Sequence, residues 1–141
     1  MTQATSHYTT VHNLRLHYLE AGEGPPVLLL HGFPTSSHLY RNILPELGKT
    51  HRAIALDLPG YGLSDKPLDV AYDYDFYADV ISSFLAALGI EETNLVVHDL
   101  GGPIVPMGGK ALTTVPAHEG SNIKRLIFCR ENSYVLLTFD E

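Results

Sequence analysis

Three short segments concentrate the residue types that do chemistry. They are His31-Gly32-Phe33-Pro34, Asp57-Leu58-Pro59-Gly60-Tyr61-Gly62-Leu63-Ser64-Asp65 and Val96-Val97-His98-Asp99-Leu100-Gly101-Gly102-Pro103. Asp99 is the central residue among them. It closes an apolar run and precedes Gly101 and Gly102, the layout of a sharp strand-to-helix turn that presents one side chain. With a reference pKa of about 4, an aspartate is ionised at pH 7 and needs no base to activate it. Such a carboxylate can attack an electrophilic carbon and form a covalent ester. Water must then cleave that ester, a step that needs a general base. The alternative use of an aspartate at this position is to cap the helix that follows it.

The remaining polar residues are expected to support rather than react. His98 precedes Asp99 on the same strand, so the two-residue alternation turns it away from the site, as a buried, hydrogen-bonded histidine. His7, His12 and His17 recur every five residues, which places successive ones on opposite strand faces and argues against a metal site. Neither a metal nor another cofactor is expected. Tyr72, Tyr74 and Tyr77 read as packing and rim residues.

The elements that must position these segments follow from hydrophobic periodicity. From Tyr8 to Gly22 the chain alternates, with Leu14, Leu16 and Tyr18 on one face and Arg15, His17 and Leu19 on the other. His12-Asn13 marks a turn between two antiparallel strands. Val27 to Leu30 is continuously apolar, as in a strand covered on both faces. A helix capped by Thr35, Ser36 or Ser37 follows, with Leu39, Ile43 and Leu47 at four-residue spacing, Pro45 shortening or bending it, and Gly48 beyond its end. Arg52 to Leu58 is a second buried strand. The next helix has Asp75 as its cap, a stripe of Tyr77, Ile81, Phe84, Leu85 and Leu88, and Gly89 as its stop. Asn94 to His98 and Ile123 to Cys129 are further strands, and Tyr134 to Phe139 either adds an edge strand or covers apolar surface.

Strands alternating with helices after a hairpin predict an α/β fold: a three-layer α/β/α sandwich whose sheet is mostly parallel beyond the N-terminal antiparallel hairpin. In such sheets ligands bind beyond the carboxyl ends of the strands, where all three chemical segments fall. Composition agrees with one folded domain over residues 1–141. The chain has 141 residues, 45% hydrophobic and 18% charged. Its formal charge is −7 and it has no Lys/Arg cluster, which leaves nucleic-acid binding without an electrostatic basis. Cys129, the single cysteine, can form no intrachain disulfide. No apolar run approaches the ~20 residues of a membrane span, and the first residues carry no secretory pattern, so a soluble cytoplasmic protein is the expectation.

Taken in order, the three segments resemble the α/β-hydrolase superfamily, in particular its branch of epoxide hydrolases and haloalkane dehalogenases. The likeness is close from Tyr8 to Ile104, weak from Val105 to Gly120 and partial from Ile123 to Cys129, roughly the first half of such an enzyme. The resemblance implies that Asp99 is the nucleophile, acting on a small apolar electrophile, an epoxide or a haloalkane. It also implies an oxyanion hole built from the backbone N–H groups of Leu100 and Phe33. His31, Gly32, Pro34, Gly101 and Gly102 would support it, with His31 bracing the loop and the glycines letting backbone donors approach a ligand. Asp57 and Asp65 resemble residues that tie down the turn after the second parallel strand.

Two departures bear on substrate. Haloalkane dehalogenases usually hold the departing halide with side-chain N–H groups at the positions of Phe33 and Leu100, and neither residue here can donate. The Phe-containing loop looks more like the epoxide hydrolase pattern, although a Trp after the nucleophile is common there too. The family's general base is a late histidine, whereas His118 is the only histidine after Asp99 and lies before the Ile123 strand. Glu131 falls near where some dehalogenases carry the supporting acid, and a surface glutamate is the other reading. Pro106, Gly108 and Gly109 together cost a helix roughly 5 kcal/mol, so the helix after Asp99 is expected to stop near Val105 or kink. The chain alone is then expected to go no further than ester formation. The alternative is a truncated, non-catalytic fragment acting as a binding or assembly module, self-associating through an exposed sheet face or edge.

Overall fold

A computed structural model describes residues 3–98, 123–130 and 133–138. Strands β1 (Thr5–Val11) and β2 (Leu14–Ala21) form the hairpin, followed by β3 (Pro26–Leu30) and β4 (Arg52–Leu56). Helix α2 (Tyr74–Ala87) then leads to β5 (Thr93–His98), and β6 (Ile123–Arg130) and β7 (Ser133–Thr138) complete the described chain. Between β3 and β4 lie a 3-10 turn, Ser37–Tyr40, and a single-turn helix α1, Leu44–Leu47.

One sheet joins the seven described strands in the order β1-β2-β4-β3-β5-β6-β7. The four strands from β4 to β6 are parallel, and β1, β2 and β7 are antiparallel to their neighbours. The expected hairpin and parallel centre are therefore present, but the sheet does not stay parallel to its far edge. Only residues 131 and 132 separate β6 from β7, too few for a crossover, so the pair closes antiparallel.

The hairpin turns where its residues allow it. His12 and Asn13 have φ of 50° and 63°, the left-handed pair a two-residue hairpin loop requires. Residue parity then divides the core in two. Leu16, Tyr18, Leu28, Leu30, Ile54 and Leu56 pack on the face covered by Tyr77, Ile81 and Phe84 of α2. Ala21, Val27, Leu29, Ala53 and Ala55 pack on the opposite face with Tyr40 and Leu44. Buried leucines contribute about 1.5–3 kcal/mol each, so β3, apolar at every position after its proline, is held from both sides. Helices on both faces make the three layers.

Two helix readings are corrected. Asp73, not Asp75, caps α2, its Oδ1 accepting the Phe76 N–H at 2.8 Å. The segment before β4 is not one helix with a Leu39, Ile43, Leu47 stripe. It breaks into two single turns, capped at Ser36 and restarted where Pro45 occupies the first helical turn, a position that needs no N–H. The break shifts the buried phase by one residue. Tyr40 and Leu44 are inside, whereas Leu39 and Ile43 are 37% and 47% exposed. At the other end of α2 the reading holds: Gly89 has φ of 69°, and the Ile90 N–H reaches Leu85 O at 2.9 Å to close the helix.

Candidate active site

The registers of β3, β4 and β5 bring the three chemical segments together. Leu30 pairs with Leu56 on one side and with Val97 on the other, so the strands end level. The next residues are His31, Asp57 and His98, one on each strand end. Asp99 follows His98 directly in the sequence. Asp99, Leu100, Gly101 and Gly102 lie outside the described residues, as do Pro106, Gly108, Gly109, His118 and Glu131.

His31 is fully buried and fixes the first loop. Its Nδ1 faces the Gly32 carbonyl at 3.0 Å, and its Nε2 faces the Leu58 N–H at 3.0 Å. A carbonyl only accepts and an N–H only donates, so Nδ1 carries the proton and Nε2 is bare. Burial pushes the imidazole below its usual pKa, against the Gly32 hydrogen bond and the attraction of Asp57. The neutral ring thereby ties the β3 loop to the β4 exit. Gly32 O also accepts from the Thr35 N–H at 2.9 Å and the Thr35 hydroxyl at 2.8 Å. The Phe33-Pro34 peptide bond is cis. The Phe33 side chain is 67% exposed and meets the Tyr61 ring edge-on at 6.4 Å, while His31 meets the same ring at 5.1 Å.

Asp57 organises the second loop. Its Oδ1 accepts the Ser37 N–H at 2.6 Å, and its Oδ2 accepts the Leu63 N–H at 2.9 Å and faces His17 Nδ1 at 2.7 Å. Burial works to raise its pKa, but the hydrogen bonds from Leu63, Ser37 and His17 outweigh it and hold the carboxyl below its usual value. Gly62 makes this approach possible. Its φ is +53°, and a Cβ there would overlap the Asp57 carboxylate. Asp65 ties the same loop back to β2, its Oδ2 accepting the Arg15 N–H at 2.8 Å. Both aspartates are thus the turn anchors the sequence suggested.

Other expectations sort as follows. His7 stacks on Tyr18, His12 reaches Ser83 and His17 reaches Asp57, so the three histidines go to separate neighbours. Tyr77 is a buried packing residue with its hydroxyl on Pro59 O at 3.1 Å, and Tyr72 and Tyr74 sit at the rim. His98 is half-buried rather than buried, because even-numbered positions of β5 form its less covered face. Its Nδ1 has no hydrogen-bond partner among the described residues, contrary to expectation. The His17 to Asp57 contact was missed. Forty residues separate the two, and no local pattern links them.

Residues 25–131 match the model of the alpha/beta hydrolase fold family, and the chain belongs to that family. Within it, the chain is similar to haloalkane dehalogenases and epoxide hydrolases. It is 44% identical over 90 residues to haloalkane dehalogenase 2 of Mycobacterium tuberculosis, covering 64% of this chain and 32% of that protein. It is 38% identical over 133 residues to a cis-3-alkyl-4-alkyloxetan-2-one decarboxylase of Shewanella oneidensis, covering 92% of this chain and 40% of the relative. The solved epoxide hydrolase from an endophytic Streptomyces superposes with a TM-score of 0.73 at 32% identity, over 89% of this chain and 36% of that one. The chain thus spans between 32% and 40% of the length of these proteins. Among the described residues, no helix is long and apolar enough to cross a membrane.

Proposed function

We propose that Asp99 is the nucleophile of a hydrolase acting on a small apolar electrophile, an epoxide before a haloalkane. The observation that supports this most is the level ending of β3, β4 and β5. It sets the His31-to-Pro34 loop and the end of β5 side by side, one residue short of Asp99. An Asp99 oxygen bonds to an epoxide carbon, the ring C–O bond breaks, and the ring oxygen leaves as an alkoxide that takes a proton from solvent. Backbone N–H groups of Phe33 and Leu100 form the oxyanion hole for the second step, in which water cleaves the ester to release a diol and restore Asp99. Gly32 and Pro34 shape the first donor loop and Gly101 and Gly102 the second. The preference for epoxides rests on Phe33 and Leu100, whose side chains offer no N–H to a departing halide.

Incubation with styrene oxide followed by intact mass measurement and peptide mapping tests this. One adduct on the peptide containing Asp99, absent in Asp99→Asn, is the expected result. An unlabelled Asp99, or equal labelling of Asp99→Asn, removes the nucleophile assignment. A persistent adduct means that these residues supply no base for the second step, whereas a transient one means that they do.

A further inference from the structure

A second set of nucleophile, base and carboxylate lies on the edge hairpin. Ser6 of β1 is exposed, and its Oγ lies 2.6 Å from His17 Nε2. His17 is buried, with its other ring nitrogen, Nδ1, 2.7 Å from Asp57 Oδ2. Asp57 is ionised and accepts only, so Nδ1 holds the proton and the Nε2 lone pair faces the Ser6 hydroxyl. This satisfies the geometric requirement for an activated nucleophile: hydroxyl to base within hydrogen-bond reach, and base oriented by a third group. The carboxylate that orients the base is itself pinned by the Ser37 and Leu63 N–H groups, and the main-chain N–H of His17 donates to Ser64 Oγ at 2.8 Å.

We infer that Ser6 is a second nucleophilic site, activated by His17, that takes an acyl group from small esters with an aromatic leaving group. The neighbouring surface suits such a donor. Tyr8, 42% exposed, packs 5.1 Å from the His17 ring, and the Arg15 guanidinium lies 3.7 Å over the Tyr8 ring. An aromatic ring carrying a cation therefore packs on the same imidazole whose Nε2 faces the hydroxyl. Among the described strands β1 is the last of the sheet, and an edge strand leaves alternate N–H groups outside the ladder, where they can donate to an oxyanion. In the reaction Ser6 Oγ bonds to the ester carbonyl carbon as its proton passes to His17 Nε2. The tetrahedral adduct then breaks its bond to the leaving phenolate oxygen, which takes that proton. Acyl-Ser6 and neutral His17 remain.

The test is acetylation by p-nitrophenyl acetate, followed by peptide mapping, in the Asp99→Asn chain so that no label arises from that position. Ser6 is expected to acetylate about 100-fold faster than the other serines, the scale of general-base assistance, with the label lost in Ser6→Ala. His17→Gln, its fold checked by circular dichroism, is expected to bring Ser6 down to the other serines. If that variant does not fold, the pH profile of the unaltered Ser6-His17 pair decides. A labelling rate that rises and then levels as one imidazole loses its proton supports the site, and a rate proportional to hydroxide throughout overturns it. Labelling of Ser6 no faster than that of other serines, or unchanged in folded His17→Gln, also overturns it. None of these outcomes depends on whether styrene oxide labels Asp99.

Discussion

The Nε2 atom of His31 accepts the main-chain N–H of Leu58 at 3.0 Å, across the boundary between β3 and β4. A protonated ring would set an N–H against an N–H, so this contact exists only with a neutral imidazole. Because burial lowers the pKa of His31 in the folded state, the unfolded chain binds more protons below the ordinary histidine value of about 6.5. Stability from His31 is therefore complete above about pH 6.5 and is lost as pH falls through the lowered folded value. Urea unfolding between pH 7.5 and 5 should show a steeper loss in the natural chain than in His31→Gln. Equal slopes would remove His31 as a neutral brace of the Gly32 loop.

Asp57 is anionic where His31 is neutral, yet its pKa shifts in the same direction. Its folded pKa is depressed, so its contribution is present above about pH 3.9 and lost as pH falls below that. Asp57→Ala strands the N–H groups of Ser37 and Leu63 and should cost about 3 kcal/mol. Gly62→Ala should cost about 1 kcal/mol for its left-handed backbone and more for overlap with the carboxylate. In the Asp57→Ala background the overlap disappears, so a double-mutant cycle by urea unfolding should be non-additive, with Gly62→Ala cheaper there. Additive costs would mean that Gly62 does not make room for Asp57.

Asp73 and Asp75 give a direct comparison of two candidate caps. Asp73 accepts the Phe76 N–H, so Asp73→Ala should lose about 1 kcal/mol. Asp75 lies within the first turn, where its charge meets the helix dipole, so Asp75→Ala should lose about 0.3 kcal/mol. Chemical denaturation of the two variants checks the order, and a larger loss for Asp75→Ala would contradict the capping geometry.

These residues also mark what could be read from the sequence. The hairpin, β3 to β5 and the stripe of α2 were legible because local periodicity and turn residues specify them. The cap of α2 was misplaced by two residues because Asp73 and Asp75 both suit an N-terminus, and only backbone geometry separates them. The Leu39, Ile43, Leu47 spacing suggested one helix because the break before Leu44 has no strong signal beyond Pro45. Of the site, His31 and Asp57 were legible as strand-end residues. The chain from Ser6 through His17 to Asp57 was not, since it forms only when β2 pairs with β4 and brings residues far apart in sequence to one place. Local patterns reveal elements, whereas contacts across strands depend on topology.

The hairpin turn allows a stabilising substitution. His12 and Asn13 both hold positive φ, at 50° and 63°, the pair of values that favours Gly at the second position of a two-residue loop. Asn tolerates this region better than most residues, but glycine enters it without a Cβ. The Asn13 side chain has no hydrogen bond to lose among those described, while His12 holds Ser83 at 2.8 Å and should be kept. Asn13→Gly should therefore raise stability by about 0.5 kcal/mol, measured as a higher urea midpoint at unchanged slope. His12→Gly gains the same backbone freedom but gives up the contact to α2, so it should raise the midpoint less. If Asn13→Gly lowers the midpoint, the left-handed turn is not the conformation this hairpin adopts.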